Sequence, residues 1–210
     1  MSVEGEFFLS ITGSIEHAEF YDVDNAYCKY GFHFGPEWSV VAGIEEGLTQ
    51  MCKCSSDPRN LAVWNFPLEV TFRSTNPHGW PQLIMSVYGM DIFGHDVIRG
   101  YGVCHLPLET GQHKKRISVY VPESSSALQR FAAWLTGRRP ELIDPAILAS
   151  GDGRERKLSI DENVFCFLLI TFFIIAVTRM RVEGIVTVTF NVVLKDFFKL
   201  GYNNGEQRNK

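Results

Sequence analysis

Apolar residues recur at every second position along most of this 210-residue chain. In the longest run the apolar side chains alternate with polar ones over residues 62–72: Ala62, Trp64, Phe66, Leu68, Val70 and Phe72. A period of two is typical of a strand that buries one face and exposes the other. About eight such runs, separated by turn residues, predict an all-β antiparallel sandwich or barrel.

Three details of the predicted strands are specific enough to check against a structure. Gly13 interrupts the alternating run of residues 7–15 and is expected to form a β-bulge. Pro67 has no N–H to donate, so its strand is expected to lie at a sheet edge or to bend there. The alternation in residues 38–44 predicts that Trp38, Val40, Ala42 and Ile44 share a buried face.

One stretch has the period of a helix instead of a strand. Leu128, Phe131 and Leu135 recur at three- and four-residue steps after Ser124 or Ser125, either of which can cap a helix. Gly137 suits the helix end. The fold class predicted is therefore all-β with one or two short helices inserted.

Composition excludes several classes of function. The chain is 45% hydrophobic and contains 16 Phe, which is incompatible with a disordered polypeptide. A net charge of −4 provides no general attraction to nucleic acid. Five scattered Cys, together with a first stretch of 15 residues that lacks Lys and Arg, predict an intracellular protein with reduced thiols and no leader peptide.

An apolar run at Val164–Val177 does not fit the sandwich pattern. As a helix its 14 residues would extend roughly 21 Å, short of the roughly 30 Å hydrocarbon core of a bilayer. A membrane span and a buried element both remain open. A third hypothesis is genetic: Phe, Leu and Ile codons imply pyrimidine-rich DNA, and codons for Arg156–Lys157 and Ala176–Val177 can contain splice signals. Residues 156–176 would then be a translated, unspliced intron.

The search for chemistry predicts that the chain is not an enzyme and holds no metal or cofactor. Cys52 and Cys54 form a single CxC pair, whereas a zinc site needs four ligands. The six His are dispersed, and no G-x-S-x-G motif occurs. Four carboxylates near strand ends are too few for the six to eight oxygens that calcium takes. They are Asp22, Asp24, Asp91 and Asp96.

A cluster of basic residues is the candidate binding site. Lys114, Lys115 and Arg116 follow His113 at the start of a predicted strand. Near anionic lipid each Lys or Arg contributes about 1 kcal/mol, so the three residues predict a weak, salt-sensitive membrane attraction. The alternative is that these charges decorate a solvated strand and block edge-to-edge pairing.

Several motifs together resemble the B9-domain family, over about residues 6–201. They are residues 27–30 (YCKY), 64–67 (WNFP), 74–82 (STNPHGWPQ), 86–89 (SVYG), 91–97 (DIFGHDV), 99–102 (RGYG), 121–124 (VPES) and 137–141 (GRRPE). The resemblance implies a C2-type β-sandwich over residues 6–200. The last ten residues, 201–210, are polar, which predicts a disordered tail. In the family pattern Gly153–Glu155 leads almost directly into Thr178–Gly184, so residues 156–176 are an interruption here.

The resemblance also implies a function without catalysis. Family members act in the tectonic-like (Meckel-syndrome) complex at the ciliary transition zone. There they support the membrane diffusion barrier, ciliogenesis and Hedgehog signalling. The implied partners are other B9-domain proteins and further subunits of that complex, with peripheral contact to the ciliary membrane and no nucleic acid. The implied location is cytoplasm, cytoskeleton and the ciliary basal body. The alternative function is a calcium-independent phospholipid-binding C2-type module.

Overall fold

A computed structural model describes residues 5–20, 23–90, 94–123, 141–142, 158–159, 179–197 and 201. These residues form twelve β-strands. The strands are β1 (Phe7–Phe20), β2 (Asn25–His33), β3 (Trp38–Gly43), β4 (Glu46–Leu48), β5 (Cys52–Lys53), β6 (Leu61–Ser74), β7 (Gln82–Met90), β8 (Asp96–His105), β9 (Gly111–Glu123), β10 (Glu141–Leu142), β11 (Leu158–Ser159) and β12 (Arg179–Lys195).

Ten of the strands form one antiparallel sheet that curls into a sandwich. The hydrogen-bonded order is β3-β6-β1-β12-β9-β8-β7-β2-β4, and β5 pairs separately with β2. The first five strands of this order make one layer and the remaining strands make the other. The two short strands β10 and β11 pair with each other, outside the large sheet. The predicted antiparallel β-sandwich is confirmed, with more strands than the eight expected because the sequence does not reveal the two- and three-residue strands.

The inward faces of the two layers pack into one core. Tyr30 and Phe32 of β2 contact Phe66 and Phe72 of β6, with ring centroids 5.8 and 5.6 Å apart. The indole nitrogen of Trp64 donates a hydrogen bond across the sandwich to a backbone oxygen of β2. The alternating apolar residues of the predicted strands therefore meet each other, as one-sided burial requires.

The bulge in β1 lies elsewhere than the sequence predicts. The pairing of β1 shifts register between Ile15 and His17, and no shift occurs at Gly13. Gly13 serves another purpose: a Cβ atom there would lie 2.0 Å from the Thr189 backbone oxygen of β12. The expected bulge at Gly13 was wrong because a glycine inside a strand also permits close approach of a neighbouring backbone.

The prediction for Pro67 is confirmed. Strand β3 pairs with β6 only along Val70–Ser74, so the earlier part of β6, including Pro67, has one edge that no described strand pairs with. Asn65 has a φ of 45° at the point where β6 and β1 shift register. The long strand thus runs along the sheet edge and bends near its proline.

The chain crosses between the layers at the β3–β4 connection. The Ile44 amide donates to the Glu69 oxygen in one layer, and the Glu45 oxygen accepts from the Phe32 amide in the other. Trp38 is buried, but Ala42 and Ile44 are exposed, so the predicted common face of residues 38–44 is wrong beyond Val40. The alternation fails because β3 shifts register between Val40 and Ala42 and then leaves its layer.

Some predictions concern residues outside the described ranges. These are the helix of residues 124–137, the whole apolar run 164–177, the interruption at 156–176 except Leu158–Ser159, and the tail beyond residue 201. Within the described ranges, no helix is long and apolar enough to cross a membrane.

Replacement of Gly43 by alanine should destabilise the sandwich. Gly43 has a φ of 96°, and an added Cβ would lie 2.3 Å from the Glu69 backbone oxygen. Overpacking of this kind costs about 1–3 kcal/mol, in addition to the backbone strain. Gly111→Ala is the matched control, because Gly111 has a φ of 119° but no atom within 4 Å of the added Cβ. Urea unfolding should show a larger loss for Gly43→Ala, and equal losses would contradict the close approach.

Candidate interaction surface

The predicted basic residues lie on β9, the last strand of the first layer. Strand β12 pairs with β9 on one side and with β1 on the other, so side chains from three strands stand in rows across the outer face. One row contains Ser14, Thr189 and Lys114, and another contains His17, Thr187 and Arg116. The register therefore places the cations of β9 within reach of the acidic residues of β1.

Two ion pairs bridge β1 and β9 over the strand between them. The Lys114 ammonium lies 2.6 Å from a Glu16 carboxylate oxygen, and the Arg116 guanidinium lies 3.3 Å from Glu19. The Thr189 hydroxyl of β12 donates a hydrogen bond to the same Glu16 carboxylate. We call these five residues the polar network. Because its positive and negative groups are paired, this part of the outer face has little net charge.

The environment of Glu16 favours its ionised form. The hydrogen bond from Lys114 lowers the pKa of this carboxyl the most, and the hydrogen bond from Thr189 lowers it further. Partial burial acts in the opposite direction, since it disfavours the charged form, but it does not outweigh the hydrogen bonds. Glu16 is therefore a fixed anion at neutral pH, positioned by the bulge between Ile15 and His17.

Lys115 is separated from the other two cations. Successive side chains of a strand point to opposite faces, so Lys115 faces the gap between the layers. Its ammonium donates a hydrogen bond to the His105 backbone oxygen of β8, at 3.0 Å. The three predicted residues thus do not form one cationic patch: Lys114 and Arg116 share the outer face, and Lys115 bridges the layers.

A cleft of about 290 Å³ lies beside Lys115, where β8 and β9 diverge. In the described ranges these two strands pair only at Tyr101 and Tyr120. The Cys104 thiol lies in this cleft, and burial raises its pKa although the Lys115 ammonium acts in the opposite direction. The thiol is therefore held in its protonated form, which is a poor nucleophile.

The remaining candidate ligands do not assemble in the part of the chain that the structure describes. No three of its His, Cys, Asp and Glu side chains come close enough to hold a metal ion. Asp24 and Asp96 are exposed near the ends of different strands, whereas Asp22 and Asp91 lie outside the described ranges. Burial raises the pKa of Cys28 to about 12, so this thiol is an unreactive part of the core.

Sequence reasoning missed the acidic half of the polar network. Glu16 and Glu19 are in the second half of the first strand, and nothing in their local pattern distinguishes them from other acids on strands. Their partners are more than 90 residues away along the chain. The available signal was the pair Lys114 and Arg116, two residues apart on one face of β9, where acidic cross-strand neighbours are favourable.

Comparison with known proteins identifies the family. The model of the B9-C2 family, described as "Ciliary basal body-associated, B9 protein", matches residues 9–164. The chain belongs to the B9-C2 family. This agrees with the resemblance carried by the sequence motifs.

Individual relatives extend the match over nearly the whole chain. It is 50% identical to mouse B9 domain-containing protein 1 over 95% of this chain and 87% of the relative. It is 31% identical to human B9 domain-containing protein 2 over 70% of this chain and 82% of that relative. Among solved structures, a C2 domain of plant Extended Synaptotagmin 1 matches with 12% identity and a TM-score of 0.38, over 88% of this chain and 92% of that one.

Glu16→Gln should lower stability at neutral pH by up to about 1 kcal/mol, the upper range for a partly exposed ion pair. Because folding lowers the pKa of Glu16, its contribution is fully present above the usual pKa of this carboxyl, 4.5. It is lost as the pH falls below that value towards the folded pKa. Chemical unfolding between pH 7 and pH 3 should therefore show wild type and variant converging. Glu37→Gln, which removes an exposed carboxylate outside the network, should change little at any pH.

Proposed function

We propose that this protein is a non-enzymatic structural subunit of the tectonic-like complex at the ciliary transition zone. In this role it supports the membrane diffusion barrier between cilium and plasma membrane, and through it ciliogenesis and Hedgehog signalling. Its partners are other B9-domain proteins and further subunits of the complex. Its location is the basal body and transition zone, in contact with cytoplasm and cytoskeleton.

The observation that carries this proposal is the match to B9 domain-containing protein 1 over almost the entire chain. An identity of 50% over 95% of the chain supports a shared fold and a shared role. The family description independently names the ciliary basal body. The described surface adds a physical argument: it presents broad sheet faces with paired charges, which suit assembly with other folded domains.

The proposal is tested in ciliated cells that lack B9 domain-containing protein 1. The tagged chain should concentrate at the ciliary base, co-purify with other B9-domain proteins and restore retention of ciliary membrane proteins. Gly43→Ala, destabilised in its fold, should reduce all three readouts together. A well-folded chain that stays diffuse and recovers no B9-domain protein would contradict the proposed function.

Phospholipid binding through Lys114, Lys115 and Arg116 is the second candidate. The exposure of the Lys114 and Arg116 side chains, 59% and 61%, favours it. Their pairing with Glu16 and Glu19 opposes it, because the carboxylates repel anionic headgroups. In a separate assay with the purified chain, flotation with phosphatidylserine vesicles should recover little protein at any salt concentration. Salt-sensitive flotation that depends on the three cations would favour the second candidate instead.

We also propose that residues 156–176 are an addition that the sandwich does not need, in keeping with a retained intron. Strands β9 and β12 pair from Val192 and Gly111 up to Arg179 and Glu123. The chain between residues 123 and 179 therefore connects two neighbouring strands at one end of the sheet. A change in the length of such a connection leaves the register of both strands unaltered.

Deletion of residues 156–176 should leave the free energy of unfolding almost unchanged. Each doubling of a flexible loop costs only about 0.6 kcal/mol, and this deletion shortens the connection by less than half. Among the described contacts, it removes only the two-residue pairing of β10 with β11. Removal of the apolar run should also reduce aggregation on heating. A loss of several kcal/mol in urea unfolding would show that the segment belongs to the folded domain.

A further inference from the structure

The crossover between the two layers is an unusual part of the surface. Residues 41–46, with the sequence VAGIEE, run from the end of β3 through the two-residue connection into β4, and all six are exposed. The side chain of Ile44 is 63% exposed, and those of Val41 and Leu48 are 54% and 56% exposed. Isolated exposed apolar residues are common, but three of them within the eight residues 41–48 make this segment a candidate contact surface.

The crossover is held in a fixed conformation by the layers on both sides. Its backbone bonds to Glu69 in one layer and to Phe32 in the other. Gly43 lies against the backbone of β6, and Gly47 lies so close to the Tyr30 ring that an added Cβ would be 2.7 Å from it. The apolar side chains are therefore presented by a rigid support, which lowers the entropy cost of binding.

Strand β3 also has an available edge. It is the terminal strand of the sheet order and pairs with β6 on one side, while no described strand pairs with its other side. Exposed edges of this kind pair with extended segments of other proteins, with backbone hydrogen bonds supplying affinity and side chains supplying specificity.

The charges around this edge indicate what kind of segment it accepts. Glu37, Glu45 and Glu46 are exposed, and within the described ranges none of the three carboxylates has a cationic partner. By contrast, the acids of the polar network are paired within the chain. The three carboxylates therefore carry negative charge that the cations of a binding partner can complement.

We infer that the free edge of β3 and the crossover bind an extended protein segment in which apolar residues alternate with Lys or Arg. The segment adds to the sheet beside β3, places its apolar residues against Val41 and Ile44, and pairs its cations with Glu45 and Glu46. This inference rests on the proposed function, since it names the chemistry by which such a subunit recognises another protein.

The same charges argue against two other occupants. An anionic membrane would be repelled by three unpaired carboxylates, although the exposed apolar residues alone would suit it. A second copy of this chain, paired antiparallel through β3, would bring Glu45 of one copy towards Glu37 of the other, and like charges placed in this way are destabilising.

Two synthetic peptides of the same length test the inference with the full chain. One alternates Val with Lys, and the other alternates Val with Glu. The matched pair of variants is Ile44→Ser with Glu45→Lys, and Leu108→Ser with Glu109→Lys. Both pairs combine an exposed apolar residue with the exposed acid that follows it. Binding is measured by fluorescence anisotropy, and hydrogen exchange locates the protected amides.

The basic peptide should bind wild type and the Leu108/Glu109 variant with equal affinity and protect the amides of residues 41–43. The Ile44/Glu45 variant should bind the basic peptide at least about tenfold more weakly than wild type does, and its thermal stability should be unchanged. Wild type should bind the acidic peptide with a similarly reduced affinity. Failure of the basic peptide to bind, equal binding of both peptides, or protection elsewhere would overturn the inference.

Two further outcomes would also overturn it in favour of another occupant. One is self-association in sedimentation that only the Ile44/Glu45 variant abolishes, and the other is flotation with anionic vesicles that only this variant loses. The peptide assay requires no cilium and no other B9-domain protein. Its failure therefore leaves the localisation and co-purification results standing, and failure of those results leaves the peptide result standing.

Discussion

Packing between the inward faces of two β-layers is the interaction on which the rest of this structure depends. The rings of β2 meet the rings of β6 across the sandwich, and Trp64 reaches the opposite backbone. In the described part of the chain the sheet passes from one layer to the other at two margins. One is the single pairing of Tyr101 with Tyr120, and the other is the crossover after Gly43. At each margin a glycine lies close to a neighbouring backbone, Gly100 against Tyr120 and Gly43 against Glu69.

The outer surface divides into parts with different electrostatic character. On the face formed by β1, β12 and β9, each cation of the polar network has a carboxylate within hydrogen-bonding range. That arrangement stabilises the sheet and leaves little net positive charge on this face to attract anionic lipid. Beside β3 the acids have no such partners among the described residues, and apolar side chains lie next to them. The crossover therefore combines exposed apolar side chains with carboxylates that lack described ionic partners, whereas Lys114 and Arg116 of β9 are paired.

Membership of the B9-C2 family links this architecture to the ciliary basal body. A sandwich of this kind provides two sheet faces, terminal edges and loops at each end, and these can bind different partners at the same time. Chain length also varies easily where neighbouring strands are joined, as between β9 and β12. A segment added there changes the connection without shifting the core, so the proposed addition at residues 156–176 would be compatible with the pairing of both strands.

The sequence by itself determined the long strands, the apolar face of most of them and the family to which the chain belongs. The period-two pattern is local, so it is readable from neighbouring residues, and the inward face of β6 follows it from Ala62 to Phe72. The predictions failed at Gly13, where the glycine admits a neighbouring backbone and forms no bulge, and at Ile44, where the chain changes layer. Only the tertiary structure decided that Glu16 meets Lys114, that Lys115 faces away from its neighbours, and that β3 lies at an edge. Those contacts depend on the order of strands across the sheet, and hydrogen-bonded partners far apart in the chain leave no local signal.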